Sequence, residues 1–77
     1  MTKDELFSLI KDALDADNEI DMNASADNIP EWDSLGHLSV LTALDDATHG
    51  RASSLSDLSD ATSVAEIVNI LESQEII

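Results

Sequence analysis

The chain has no cysteine, one proline, two glycines and only two aromatic residues, Phe7 and Trp32. Without cysteine there are no disulfides and no thiolate metal sites. So few glycines, prolines and aromatics, beside 43% hydrophobic residues, suit helices packed through Leu, Ile, Val and Ala better than a sheet, which favours aromatic and β-branched positions. Basic residues are equally scarce. Lys3, Lys11 and Arg51 stand against 17 acidic residues, a formal net charge of −14. Such a charge repels nucleic acid and anionic membrane surfaces. No run approaches the ~18 apolar residues of a membrane span, so stable membrane insertion is not expected. The opening Met-Thr-Lys-Asp-Glu does not match the basic and then apolar pattern of a signal peptide. A monomeric cytoplasmic protein is expected, whose acidic field keeps it soluble and steers it toward basic patches on other proteins.

What is present fits one domain over residues 1–77, and a chain this short buries only about 60% of its unfolded surface. Thr2 and Glu5 have capping-box spacing. After them, Leu6, Phe7, Ile10, Ala13 and Leu14 form one apolar stripe at helical period, which predicts a helix over residues 3–14. From Asp15 to Asp33 the periodicity disappears, and Pro30 biases Ile29 away from helical dihedrals. A loop of this length needs anchors, and Ile20, Met22, Ile29 and Trp32 are available, with Ile20 and Ile29 expected to be buried. A second helix should start at Asp33 or Ser34 and run until Gly50, with His49 in its last turn. Leu55 and Leu58 allow one short turn. Ser63 and Glu66 repeat the capping-box spacing before a last stripe of Val64, Ile67, Val68 and Leu71. The expected fold is all-α, a four-helix bundle of three long helices and one short, with a long loop between the first two.

The segment Pro30-Glu31-Trp32-Asp33-Ser34-Leu35-Gly36-His37-Leu38 places an Asp-Ser pair where an anchored loop meets a helix N-terminus. A phosphate on Ser34 would lie near unpaired N–H groups and the positive end of the helix dipole. Ser34 and His37, three apart, invite a nucleophile and base reading. The segment lacks the glycine-flanked elbow and the orienting third group that such a pair needs, so His37 is expected to lie exposed beside the phosphate. Asp15, Asp17, Glu19 and Asp21 alternate like calcium-loop ligands, but Ile20 or Met22 falls where the required glycine belongs. That excludes an EF-hand and leaves only loose divalent-ion binding. His37 and His49 are about 120° apart around an ideal helix and cannot form a metal pair. No metal site is expected. Trp32 is either a core plug or an exposed partner contact, and the core has first claim.

Asp33-Ser34-Leu35 resembles the attachment motif of the acyl carrier protein family, whose members carry a 4′-phosphopantetheine arm on the serine of Asp-Ser-Leu at the start of the second of four helices. The likeness covers about residues 3–72, through the amphipathic first helix, the long loop, the Leu38 to Leu44 apolar run before Asp45-Asp46, and Thr62-Ser63-Val64 opening the last helix. It implies that Ser34 is the attachment residue and that Asp33 assists recognition or metal-dependent transfer by a phosphopantetheinyl transferase. It further implies that Leu35, Gly36 and His37 neighbour the arm, whose thiol holds an acyl or aminoacyl group as a thioester, sheltered where needed between helices. A loading ligase and downstream enzymes with basic surfaces would be the other partners. Leu38, Val40 and Leu41 are the candidate contacts for them, Val40 and Leu41 being unable to face the interior together.

Gly36, His37, Ser39 and Thr48 depart from the commonest pattern of fatty acid carriers, and Trp-Asp-Ser-Leu-Gly-His-Leu is similar to discrete carriers of specialised pathways. Gly36 costs up to ~1 kcal/mol relative to alanine inside a helix, which implies either a close approach to its backbone beside Ser34 or ordinary tolerance of glycine in a first turn. The competing class is an unmodified acidic helical interaction module that uses Ser34 merely as an N-cap.

Overall fold

Thr2 and Glu5 form the reciprocal capping box that their spacing implies. Glu5 N–H donates to Thr2 Oγ1 at 3.1 Å, and Thr2 N–H donates to Glu5 Oε1 at 3.3 Å. The helix they open, α1 (Lys3–Leu14), buries Leu6, Ile10 and Leu14 and ends at Asp15 in the left-handed conformation. The computed structural model describes all of residues 1–77. It is all-α: α1 is followed by α2 (Ser34–Ala47) and α3 (Val64–Ser73), with no strand. Where one short helical turn is expected, there are two successive 3-10 turns, Ala52–Ser54 and Ser56–Asp60. The longest helix has 14 residues, and none is long and apolar enough to cross a membrane.

One apolar cluster of 16 buried residues joins the three helices to the loop, drawing Ile20, Ala24, Ile29 and Trp32 from residues 15–33. Ile20 and Ile29 are buried as expected, whereas Met22 is 41% exposed and anchors nothing. The loop is also tied by its backbone. Ala26 N–H donates to Thr62 O at 2.8 Å and Val64 N–H donates to Ala24 O at 2.9 Å, an isolated antiparallel bridge centred on Ser25 and Ser63. The loop is thereby pinned to the start of α3, so its far end delivers Trp32 and Asp33 to α2 in a fixed position.

Leu58, in the second 3-10 turn, is 1% exposed, and Leu55 is half-buried. At α3, Ser63 caps by accepting from Glu66 N–H at 3.2 Å. The Glu66 carboxylate accepts from the Ser63 hydroxyl at 3.1 Å. α2 stops earlier than expected, at Ala47, and His49 lies beyond it with a left-handed φ of 56°. The cause is Thr48. Its hydroxyl donates back to Leu44 O at 2.7 Å and accepts from Ala52 N–H at 3.0 Å, which draws the chain into the first 3-10 turn. Gly50, at φ 88°, completes the reversal with a backbone that tolerates positive φ.

Candidate functional site

Asp33, and not Ser34, is the N-cap of α2. Its carboxylate accepts from Gly36 N–H at 2.7 Å, and its carbonyl accepts the first helical bond from His37 N–H at 2.8 Å. Because Asp33 supplies the cap, the hydroxyl of Ser34 is not needed for it. Ser34 becomes the first helical residue, exposed on the surface. An Asp33→Ala variant should lose about 1 kcal/mol of stability, measured by urea denaturation. An unchanged midpoint would show that the cap is not essential to α2.

Gly36 explains how the loop fits this helix start. A Cβ there would overlap the backbone carbonyl oxygen of Glu31 and lie 2.9 Å from Leu14 Cδ2. The close approach inferred from sequence is therefore made by the chain's own loop and by α1. Gly36 allows the loop and α1 to pack closely against the first turn of α2.

His37 departs most from expectation. It is 8% exposed rather than lying in solvent beside Ser34. Trp32 Nε1–H, a group that only donates, donates to His37 Nδ1 at 3.0 Å. His37 Nε2 lies 3.0 Å from Leu58 O, an acceptor, so Nδ1 accepts from the indole and Nε2 donates to the carbonyl. The two rings are inclined by only 22° with centroids 6.2 Å apart, a near-coplanar arrangement that the hydrogen bond sets. Trp32, 2% exposed, is thus the core plug and not a partner contact. Both imidazole nitrogens are occupied, so His37 is not available as a base for Ser34.

The candidate partner contacts divide. Val40 is 0% exposed and belongs to the core, which removes it from any contact surface. Leu41 is half-buried. Leu38, 59% exposed, and Leu35, 76% exposed, are the apolar side chains that α2 leaves open to solvent. A cleft of about 590 Å³ lies beside Ser34. Trp32 and His37 form its floor, and its sides come from Asp33, Leu38 and Leu41 on one hand and Ala26, Ser59 and Thr62 on the other. A second hollow of about 510 Å³ runs along the other side of Leu35 and Leu38, against Ala13 of α1.

The acidic residues of the loop do not converge. No group of three or more His, Asp or Glu side chains is arranged to hold a metal ion, and Glu19 instead pairs with Lys11 at 2.7 Å. Sequence reasoning missed the roles of His37 and Thr48. The signal was their spacing, since residues 37, 40, 44 and 48 repeat at helical period along the buried face of α2. Comparison with protein-family models, with curated proteins and with solved structures gives no match for this chain.

Proposed function

We propose that the protein is an acyl carrier that bears a 4′-phosphopantetheine arm on Ser34. The observation that carries this reading is the division of labour at the start of α2. Asp33 caps the helix, Ser34 is exposed as its first residue, and a cleft able to receive part of an arm begins at Ser34. A modification there disturbs no packing. The element order supports the same reading: an amphipathic helix, an anchored loop, the Ser34 helix, a short segment in the place of a fourth helix, and a last helix.

In this role the chain performs no chemistry of its own. The arm is delivered from coenzyme A by a phosphopantetheinyl transferase. Its thiol takes an acyl or aminoacyl group from a loading ligase, and downstream enzymes with basic surfaces collect it. The N–H groups at the start of α2 favour the phosphodiester by about 0.3–1 kcal/mol. The Asp33 carboxylate opposes it, so the covalent bond and not electrostatic attraction holds the arm. Leu35 and Leu38 give a visiting enzyme an apolar foothold, and the −14 charge steers basic surfaces toward it.

The same exposed leucines support the second reading, an unmodified acidic interaction module. Intact-mass measurement after incubation with coenzyme A and a broad-specificity phosphopantetheinyl transferase separates the two. The wild-type chain should gain one phosphopantetheinyl group and Ser34→Ala none. No gain in the wild type, or an equal gain in the variant, would sink the carrier reading.

A further inference from the structure

The cleft beside Ser34 is bounded below by a hydrogen-bonded bridge that spans three parts of the chain. Trp32 from the loop donates to His37 of α2 at 3.0 Å, and His37 in turn donates to Leu58 O of the second 3-10 turn at 3.0 Å. This bridge closes the seam between α2 and the 3-10 turn at the place where a chain entering from Ser34 would have to pass. Beyond it the interior is filled. Val40, Leu44, Leu58, Ile67, Val68 and Leu71 are each at most 1% exposed, and close-packed interiors have little free space for a guest. Passage would leave the Trp32 N–H and the His37 nitrogens without partners, and stranding buried polar groups is the costly side of hydrogen bonding.

We infer that the Trp32–His37–Leu58 bridge restricts the carrier to short, uncharged acyl groups with a polar substituent, held in the surface cleft beside Ser34 and not between the helices. This inference rests on the carrier reading and assigns its cargo class. The cleft matches that class in chemistry. Its apolar surface comes from Leu38, Leu41 and the ring of Trp32, and its free polar atoms come from the hydroxyls of Ser59 and Thr62. The Ser59 hydroxyl donates to Ser56 O at 2.7 Å, leaving its lone pairs to accept from a cargo hydroxyl. Asp33 is the one ionised side chain lining the cleft and no basic residue lines it, so a carboxylate-bearing acyl group would be repelled.

The test loads the full chain with acylated arms, using a broad-specificity transferase with 3-hydroxybutyryl-coenzyme A or dodecanoyl-coenzyme A, and confirms each by intact mass. Thioester cleavage by hydroxylamine, which forms the hydroxamate and releases the thiol, is then compared with cleavage of the same acyl group on free pantetheine. A 3-hydroxybutyryl group occupying the cleft about four-fifths of the time would be cleaved about fivefold more slowly than its free counterpart. Amide resonances of Ser59 and Thr62 should shift with it. The dodecanoyl group should be cleaved at its free rate, with the Val40 and Val68 methyl resonances unmoved. Protection of the dodecanoyl thioester together with shifts of those methyls overturns the inference, as does unprotected 3-hydroxybutyryl cargo. Either result leaves the carrier reading standing. A chain that gains no mass ends both.

Discussion

Gly36→Ala should lower the stability of the protein by about 2–3 kcal/mol, the upper part of the usual range for overpacking, despite the ~1 kcal/mol that alanine gains over glycine in a helix. A domain of 77 residues has only about 4–12 kcal/mol in total, so the variant sits near the edge of folding. The reason is the identity of the obstructing atoms. The new methyl group meets the backbone oxygen of Glu31, with Leu14 close behind it. A carbonyl in the turn from Ile29 to Trp32, closed by Trp32 N–H donating to Ile29 O at 3.0 Å, cannot rotate aside as a side chain would. Relief requires α2 to lift away from both the loop and α1. That movement displaces Ser34 from the loop, so on the proposed carrier reading its modification should slow as well. Ser39→Ala, on the exposed side of the same helix, serves as the control and should change stability by less than about 0.5 kcal/mol. Urea denaturation of the three proteins decides the matter. A Gly36→Ala midpoint equal to that of wild type would mean that the loop does not press on the helix as described.

The parts of this protein that follow from hydrophobic periodicity are legible in its sequence. The stripes of α1 and α3 mark helices whose buried residues are those of the stripes, and the capping spacing of Thr2 with Glu5 marks where the first begins. Asp33 and Ser34 as alternative starts of α2 leave only a choice of one residue, which the carboxylate settles by bonding Gly36 N–H. α2 resists the same treatment because its buried face carries two polar residues. His37 and Thr48 sit in line with Val40 and Leu44, while Leu35 and Leu38 face solvent. Counting apolar residues therefore gives this helix no single inward face. A buried polar side chain is tolerated only with partners, and those of His37 come from five residues before it and 21 after it. No local pattern announces a pairing across that distance. The earlier end of α2 has a more local origin, since Thr48 closes it through bonds to residues four before and four after it.

His37→Leu provides the corresponding test of that bridge, with an expected loss of about 1–3 kcal/mol. Leucine fits a buried position, so the loss does not come from a cavity. It comes from the indole N–H of Trp32, left without a partner at about 1–3 kcal/mol, and from the lost bond to Leu58 O, which keeps only Ala61 N–H at 3.1 Å, partly offset by the burial of a more apolar side chain. His37→Gln retains one acceptor and one donor at the end of its side chain and should recover part of the loss. Trp32→Phe combined with His37→Leu removes the stranded indole N–H, so the double variant should lose less than the sum of the single losses, as expected for residues in direct contact. Because Trp32 is the only tryptophan, its fluorescence follows unfolding of wild type and both single His37 variants, and far-UV circular dichroism follows all the proteins. A His37→Leu protein as stable as wild type, or a His37→Gln protein no better than His37→Leu, would show that burial alone holds the second 3-10 turn against α2. The floor of the cleft beside Ser34 would then be free to open.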